Sequence, residues 1–328
     1  CQDQRLGDPR AAIGAYRRVL DIDDRDEQAL NDLIDLYLLV GDWSGQIEVL
    51  ERKSEMAEDP EERKDLFQRV GSIQQDMLGD NDKAIDAYRQ AYVEDDNDEV
   101  TLSALDELYS ESEQWNELVD LLRRRLDFER DEEERQDILR RVARIYADEL
   151  KDAFEATAAY QAVLVENPSD RLALDALDGL HEQAERWADL LEVLERKAES
   201  AQDERDLVRC KLRMGALQEK QLLEVGSAIE TFRSVLEIEP ANEDALQALE
   251  RLAQDEAHRF AAVQALEPLL EEAGYWDRLT KLKELKLEGL HDPVERIGEL
   301  RSLANIADEH LLDLSGAFRL HVRALAED

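Results

Sequence analysis

Residues 79–95 read GDNDKAIDAYRQAYVED, and the same pattern returns every 72 residues. Its counterparts are GDPRAAIGAYRRVLDID at 7–23, KDAFEATAAYQAVLVEN at 151–167 and VGSAIETFRSVLEIEP at 225–240. A fixed period of this kind is the sequence signature of a repeat architecture, in which each unit packs on its neighbours. The stretch therefore predicts a repeat array rather than the two globular domains that 328 residues suggest by length alone.

Apolar columns share this 72-residue step and carry alanine, leucine or aromatic side chains. They are Ala12, Ala84, Ala156 and Ala228; Leu30, Leu102, Leu174 and Leu246; Tyr16, Tyr88, Tyr160 and Phe232; and Trp43, Trp115 and Trp187. Within a unit these residues follow the i, i+3, i+4 spacing of amphipathic helices. GDW at 41–43 breaks one helix, and Asp59 with Pro60 is suited to cap and start another. Each unit therefore predicts four helices, in two hairpins of about 36 residues.

We expect the aromatic columns to fill the space between hairpins as repeat-core residues, Trp276 of the fourth unit included. Because Trp43, Trp115 and Trp187 share one phase, packing is favoured over a ligand cage, and Trp43→Ala should cost about 3–5 kcal/mol. Cys210 shares its column with leucine and isoleucine, and so does Cys1. Both cysteines are therefore interpreted as small apolar residues, and for Cys1 this is favoured over a lipid attachment site or a reactive thiol.

The pattern resembles the tetratricopeptide repeat, a helix-turn-helix of about 34 residues. LNDLIDLYLLVGDW at 30–43 is similar to its first helix and turn, and AIDAYRQAYVEDD at 84–96 to its second helix, with Ala84, Tyr88 and Ala91 in the small-aromatic-small positions. The proline that closes the motif is present as Pro168 and Pro240. The resemblance implies an all-α fold, a right-handed α-solenoid superhelix of stacked hairpins with a concave groove. One hairpin of each 72-residue double repeat keeps the alanine–tyrosine signature, whereas the other has a tryptophan at its turn.

The fourth unit departs from this regularity. We predict a regular array over 1–252, beginning within a hairpin, and divergent, HEAT-like repeats over 253–328 that continue the solenoid and end within a repeat. The step from Phe232 to Phe318 is 86 residues, so we expect an inserted helix at about 260–273, kinked by Pro268. The superhelix should change its curvature there, at a hinge or merely at a divergent repeat. We interpret the sequence as a piece of a longer repeat protein.

Charge restricts the choice of partners. With 81 acidic and 41 basic residues, the net charge of −40 disfavours binding to nucleic acid or to an anionic membrane. No stretch approaches the ~20 apolar residues of a membrane span, so we expect no direct membrane insertion. A basic or neutral protein partner is favoured over an acidic one. Thiols at core positions slightly favour the cytoplasm over the periplasm, which remains open, as does the oligomeric state.

We predict no catalytic, cofactor-binding or metal-binding residue. The five histidines form no HExxH motif, and no glycine-rich phosphate loop or GxSxG motif occurs. His181 shares its column with Tyr37 and Tyr109 and is interpreted as a packing residue. An EF-hand calcium loop that starts at Asp21 would require glycine at position 26 and glutamate at position 32, but both positions hold aspartate. The acidic clusters are therefore interpreted as helix caps and a solvated face.

Function is expected on surfaces. The polar face of the first helix in each tryptophan-type hairpin should line the groove, with Asn31, Asp35, Ser103, Glu107 and Asp175 as candidates. Some members of the family bind a C-terminal carboxylate through basic residues and asparagine in this groove, but here the corresponding positions are neutral or acidic. The leading hypothesis is a non-enzymatic scaffold or adaptor that binds a protein partner in an acidic groove. The alternatives are a structural spacer in a large assembly, and an acidic chaperone or mimic that shields a basic partner.

Overall fold

The computed structural model describes residues 8–327, which form helices and short connections without any strand. Cys1 lies outside the described residues. The chain is divided into two compact units, with the boundary between Ala159 and Tyr160. The helices of the first unit are α1 (Pro9–Leu20), α2 (Glu27–Val40), α3 (Trp43–Met56), α4 (Pro60–Ser72), α5 (Asn81–Glu94), α6 (Glu99–Glu111), α7 (Trp115–Phe128), α8 (Glu132–Arg144) and the first part of α9 (Ala153–Glu166).

The second unit begins within α9 and consists of helices of 12 to 17 residues. They are α10 (Arg171–Gln183), α11 (Trp187–Glu199), α12 (Glu204–Lys220), α13 (Val225–Ile238), α14 (Glu243–Gln254), α15 (Arg259–Glu272), α16 (Trp276–Gly289), α17 (Pro293–Glu309) and α18 (Leu314–Glu327). Within each unit successive helices pack against one another as hairpins. The all-α fold of repeated hairpins is therefore confirmed, while the right-handed superhelix stays a prediction.

Acidic residues start many of these helices. The Asp26 carboxylate accepts a hydrogen bond from the backbone N–H of Ala29 at 2.9 Å, and Asp98 accepts one from Thr101 at 2.8 Å. Asp59 accepts from the N–H of Glu61, and Pro60 is the first residue of α4, as the sequence predicts. Such caps satisfy backbone donors that have no partner within the helix. Part of the large acid content is thus used for helix starts.

Left-handed backbone turns mark the repeat. One series precedes the tryptophan helices, at Gly41, Glu113, Glu185 and Gly274. A second series precedes the helices of the alanine–aromatic signature, at Gly79, Lys151, Leu223 and Leu312. A positive φ at a helix end is usual for glycine and unfavourable for other residues. Because non-glycine residues keep it in five of the eight turns, the packing of the hairpins holds this conformation.

Helix α15 lengthens the fourth repeat, and it covers almost the interval expected from the sequence, with Pro268 inside it. The kink stays a prediction. The step from Glu185 to Gly274 is 89 residues instead of 72, and so is the step from Leu223 to Leu312. The alignment of Phe318 with Phe232 is therefore wrong. Phe318 is 69% exposed, whereas its neighbour Ala317 is buried, because the register is set by the turn and not by the aromatic residue.

The core of each unit runs between hairpins and contains the predicted leucine columns. Leu30 and Leu102 are at most 3% exposed in the first unit, and so are Leu174 and Leu246 in the second. A boundary of the regular array at residue 252 stays a prediction, and it differs from the division at 159/160.

Glycines allow close contacts between neighbouring helices. A Cβ atom added to Gly71 of α4 would lie 2.6 Å from the Tyr88 ring, and one added to Gly215 of α12 would lie 2.7 Å from the Phe232 ring. These aromatic residues of the repeat therefore lie directly on the backbone of the preceding helix.

Candidate protein-binding groove

A groove in the first unit is lined by residues of α2 to α6, among them the first helices of three successive hairpins, α2, α4 and α6. Leu38 of α2 lies on the same face of its helix as Asn31 and Asp35, which gives one helix stripe. Val100 of α6 lies on the same face as Ser103 and Glu107, which gives a second stripe. Leu38 and Val100 are 53% and 61% exposed, yet both line one cavity. The cavity thus takes an apolar residue from each of these two helix stripes, and not the polar residues predicted from the sequence.

The cavity has a volume of about 600 Å³. Its walls combine apolar side chains with a few polar ones. They are Leu38, Trp43, Gln46, Asp65, Gln68, Arg69, Ser72, Ile73, Met77, Tyr88 and Val100. Such a mixture suits a ligand that has an apolar surface and a small number of hydrogen-bonding groups.

Gln46 of α3 lines this cavity and has a buried polar atom. The residue is 3% exposed, and its amide Nε2 donates to the carbonyl of Ile34 at 3.3 Å. The bond to Ile34 fixes Oε1 as the acceptor that faces away, and this atom has no hydrogen-bond partner among the residues that the structure describes. A buried acceptor without a partner is costly, so the cavity favours a ligand that brings an N–H or O–H donor.

Hydrogen bonds across the groove hold α4 against α6. Gln68 Nε2 donates to the Asp98 carboxylate at 2.6 Å and to the Thr101 hydroxyl at 2.9 Å. Lys64, which is 5% exposed, pairs with Asp98 at 3.2 Å. Burial raises the pKa of Asp98, but hydrogen bonds from Thr101 and Lys64 outweigh it, so this pKa lies below its ordinary value. Asp98 is therefore charged at neutral pH and holds the groove wall in place while it caps α6.

The five candidate groove residues predicted from the sequence are all exposed. None of them lines the cavity. Asn31 Oδ1 accepts a hydrogen bond from Lys53 Nζ at 3.1 Å, and at the equivalent place in the second unit Asp175 pairs with Lys197 at 2.7 Å. A basic column thus partly neutralises this polar face, and the role of these residues in binding stays a prediction.

The aromatic columns differ in depth. Tyr88, Tyr160 and Phe232 are at most 6% exposed, whereas Tyr16 is half-buried. Trp43, Trp115, Trp187 and Trp276 are also half-buried. The packing role of these columns stays a prediction, and for Trp43 the half-burial lowers the expected cost of alanine below that of a core tryptophan.

The tryptophans also have different surroundings. Trp43 lines the cavity, Trp187 packs on a cluster with Leu190 and Leu194, and Trp276 stacks on His310 with ring centroids 3.6 Å apart. One sequence column thus has different surroundings in different repeats.

Other predicted features are placed as follows. Cys210 is 6% exposed, and burial raises its thiol pKa, as expected for an apolar position. His181 is 3% exposed. No cluster of three His, Cys, Asp or Glu residues within 8–327 could hold a metal ion. No helix over the same residues has the length and apolar character needed to cross a bilayer.

The repeated hairpins define an all-α repeat protein of a class that generally serves as a non-enzymatic scaffold for protein–protein interaction. A family model described as "Tetratricopeptide repeat" matches residues 101–136, which are most of α6, all of α7 and the start of α8. The match confirms the resemblance to the tetratricopeptide-repeat superfamily. It falls on a tryptophan-type hairpin, the kind that lacks the alanine–tyrosine signature.

Solved structures that are similar to this chain are distant from it. The tetratricopeptide repeat protein YrrB, described as having an unusual peptide-binding site, is 15% identical, with 56% of this chain and 90% of that chain covered and a TM-score of 0.31. A tetratricopeptide repeat protein from Parabacteroides merdae is 12% identical, with 91% and 99% covered and a TM-score of 0.32. The Naa15/Naa10 complex with HypK is 14% identical, with 92% and 52% covered and a TM-score of 0.40. No curated protein matches this chain.

Proposed function

We propose that this chain is a protein-interaction scaffold whose first-unit groove holds a neutral or basic segment of a partner protein. The segment places an apolar side chain against Trp43, Ile73 and Met77 and a backbone or side-chain donor on Gln46 Oε1. The buried, unpartnered acceptor beside an apolar cavity is the observation that carries this proposal.

Charge supports the choice of segment. The chain has a net charge of −40, so a strongly acidic segment would be repelled from the whole surface, whereas a basic one would be attracted. Inside the cavity itself, Asp65 and Arg69 contribute one charge of each sign. Affinity should therefore depend mainly on apolar contact and the hydrogen bond to Gln46, with electrostatics acting on the association rate.

Site-specific photo-crosslinking tests the proposal. A photoreactive amino acid at Leu38 or Val100 should capture a partner in cells that express the full-length protein, and the same probe at Val93 serves as control because Val93 is 82% exposed but does not line the cavity. Leu38→Glu combined with Val100→Glu should abolish capture at a third groove probe, Met77. Capture that is equal at Val93, or that survives the double substitution, would contradict a groove ligand.

The same experiment separates the alternatives. A spacer in a large assembly would give crosslinks away from Leu38, Met77 and Val100. An acidic shield for a basic protein would give crosslinks spread over the acidic surface, and they would disappear steeply with added salt. Capture confined to the groove and little affected by salt supports the scaffold with an apolar anchor.

A further inference from the structure

An arginine side chain lies over a tyrosine ring in two hairpins of the first unit. Arg17 Nε donates to the Tyr37 hydroxyl at 2.6 Å, with the guanidinium carbon 5.6 Å from the ring centroid. Arg89 Nε donates to the Tyr109 hydroxyl at 2.8 Å, with the corresponding distance 5.5 Å. Each arginine thus bridges the second helix of one hairpin and the first helix of the next through a cation–π contact and a hydrogen bond.

Acidic residues complete this arginine socket. Arg17 pairs with Glu48 of α3 at 3.3 Å. The pKa of Arg89 is raised, and the hydrogen bond to Tyr109 is the largest cause. The nearby carboxylates of Glu117 and Asp86 raise this pKa further. The socket therefore consists of an aromatic floor and carboxylates from the following second helix, an arrangement that favours a guanidinium.

The third copy of the socket has lost both of its central residues. Gln161 occupies the column of Arg17 and Arg89, and His181 occupies that of Tyr37 and Tyr109. In their place the structure has a cavity of about 410 Å³ between α9, α10 and α11 of the second unit. Its walls are formed by apolar and charged side chains, among them Leu164, Leu177, His181, Asp189, Glu192 and Val193. The cavity therefore lies where the first two repeats hold their own arginine.

His181 lines this cavity, and one of its buried ring atoms is unsatisfied. The residue is 3% exposed, and its Nδ1 has no hydrogen-bond partner within residues 8–327. Burial lowers the imidazole pKa, although Asp189 and Glu192 act in the opposite direction. The ring is therefore neutral at pH 7, and a neutral imidazole can accept one N–H.

The carboxylates are only partly occupied. Glu192, the counterpart of Glu48, pairs with Arg196 of its own helix at 2.9 Å. Asp189 forms no ion pair with any of the described side chains, and it lies near enough to act on the imidazole. Leu164, Leu177 and Val193 are at most 5% exposed and offer an apolar wall for a methylene stem. The chemistry on offer is one N–H acceptor, at least one carboxylate and an apolar channel.

We propose that this pocket binds an arginine side chain of a partner protein, at the place that Arg17 and Arg89 of this chain occupy in the other repeats. The site is separate in residues from the groove of the first unit and goes beyond the function proposed for that groove. The pocket keeps acidic and apolar walls, and Arg196, which also lines it, is paired with Glu192, so that Asp189 is the carboxylate left for a partner's guanidinium.

Peptide binding followed by NMR tests the pocket directly. The probe is an acetylated, amidated pentapeptide with a central arginine and four alanines, and its citrulline analogue has the same shape without the charge. The protein is labelled with ¹³C-histidine, and the His181 resonances are assigned by their absence in His181→Gln. These resonances should shift on addition of the arginine peptide until the binding site is saturated. The citrulline peptide should bind about tenfold more weakly, because its hydrogen bonds are not charge-assisted. Equal binding of both peptides would overturn the proposal.

Two variants locate the binding. Gln161→Arg combined with His181→Tyr restores the pair that the first two repeats tolerate, so the protein should keep its helical circular dichroism while arginine-peptide binding, measured by calorimetry, is lost. Asp189→Asn changes an exposed residue and should weaken binding several-fold without unfolding. Unchanged affinity in both variants would show that the peptide binds elsewhere, against the proposal.

The converse change is the strongest control. Arg89→Gln combined with Tyr109→His opens the socket of the second repeat, which already has Glu117 in the column of Asp189. This variant should bind two arginine peptides in place of one. A stoichiometry of one, with intact circular dichroism, would show that the paired substitution does not create the site and would contradict the repeat-based assignment.

Discussion

The regular repeats and the segment α15–α17 fix the approach of their helices by different means. In two of the regular repeats an aromatic ring lies on a glycine of the preceding helix, as Tyr88 does on Gly71 and Phe232 on Gly215. In α15–α17 the contact is a network of buried charges, in which Lys283 of α16 bonds to Glu267 of α15 and to Glu299 of α17. Lys286 bonds to the same two glutamates at 2.9 and 3.0 Å.

The difference teaches what each contact requires. The glycine–aromatic contact removes no charge from water and depends only on shape, so it can be repeated along the chain. A buried charge network depends on every partner being present, since one missing ion leaves the others desolvated and unpaired. Buried ion pairs such as Lys64 with Asp98 also occur in the regular repeats, and the Lys283 network lies where α15 interrupts the 72-residue register.

Removal of Lys283 should give the largest effect. Lys283 is 6% exposed, so Lys283→Met would leave Glu267 and Glu299 with Lys286 as their shared cation. We expect a loss of about 2–4 kcal/mol in the free energy of unfolding of this segment, somewhat less than for a fully broken buried pair because Lys286 remains. Hydrogen exchange of α15–α17 amides measures it locally.

The control for this change is on the same helix. Lys281 is exposed, so Lys281→Met should leave the exchange of α15–α17 amides nearly unchanged. If the two substitutions accelerate exchange equally, the buried network does not stabilise the junction and the contrast with the regular repeats fails.

Substitution of Gly71 should give the next largest effect. In Gly71→Ala the new methyl group would overlap the Tyr88 ring, and the strain should cost about 1–3 kcal/mol in urea-induced unfolding. Gly14→Ala is the matched control, because Gly14 is also helical and a Cβ there meets nothing within 4 Å. It should be neutral or slightly stabilising. A loss in Gly14→Ala as large as that in Gly71→Ala would show that the contact with Tyr88 is not what makes glycine necessary.

Acid should weaken α15–α17 through Glu267. Burial raises the pKa of Glu267, but hydrogen bonds from Lys283 and Lys286 outweigh it, so the pKa is lowered. A carboxyl group whose pKa is lower in the folded than in the unfolded state stabilises the fold at pH values above the unfolded-state pKa. This stabilisation is lost as the pH falls through the folded-state pKa. Exchange protection of α15–α17, corrected for intrinsic rates, should therefore decrease between about pH 5 and pH 3, and less so in Lys283→Met. Equal decreases in both proteins would assign the acid sensitivity to other groups.

The sequence predicted those parts of the fold that depend on period and on caps. Leu30 and Leu102 are buried because a 3.6-residue period fixes the inner face of a helix, and Asp59 with Pro60 begins α4 because the cap is a local interaction. The π-helical turn at Ile73–Leu78 was not predicted, since one widened turn hardly changes the apolar spacing. The left-handed Glu113 was also missed, because nothing local selects that conformation for glutamate.

The proposed binding surfaces were less predictable because they depend on contacts between helices. The stripes of Asn31 and Ser103 follow from helical spacing, but the unpartnered oxygen of Gln46 follows from a bond to Ile34 on another helix. The second pocket did carry a visible signal. Gln161 and His181 depart together from their columns, and a paired departure within a repeat indicates a lost internal contact.

The smallest effect concerns the turn before α13. Leu223 has φ of 58° and is 77% exposed, whereas Gly79 has the equivalent place one 144-residue step earlier. Leu223→Gly should relieve the cost of the left-handed conformation, part of which is offset by the greater freedom of glycine in the unfolded chain, and should stabilise by about 0.5–1 kcal/mol. Leu172→Gly, in the first turn of α10 and 68% exposed, is the opposite case and should destabilise by a similar amount. Thermal unfolding of the two variants measures the difference, and a decrease in Tm for both would show that the hairpin packing imposes no strain on this turn.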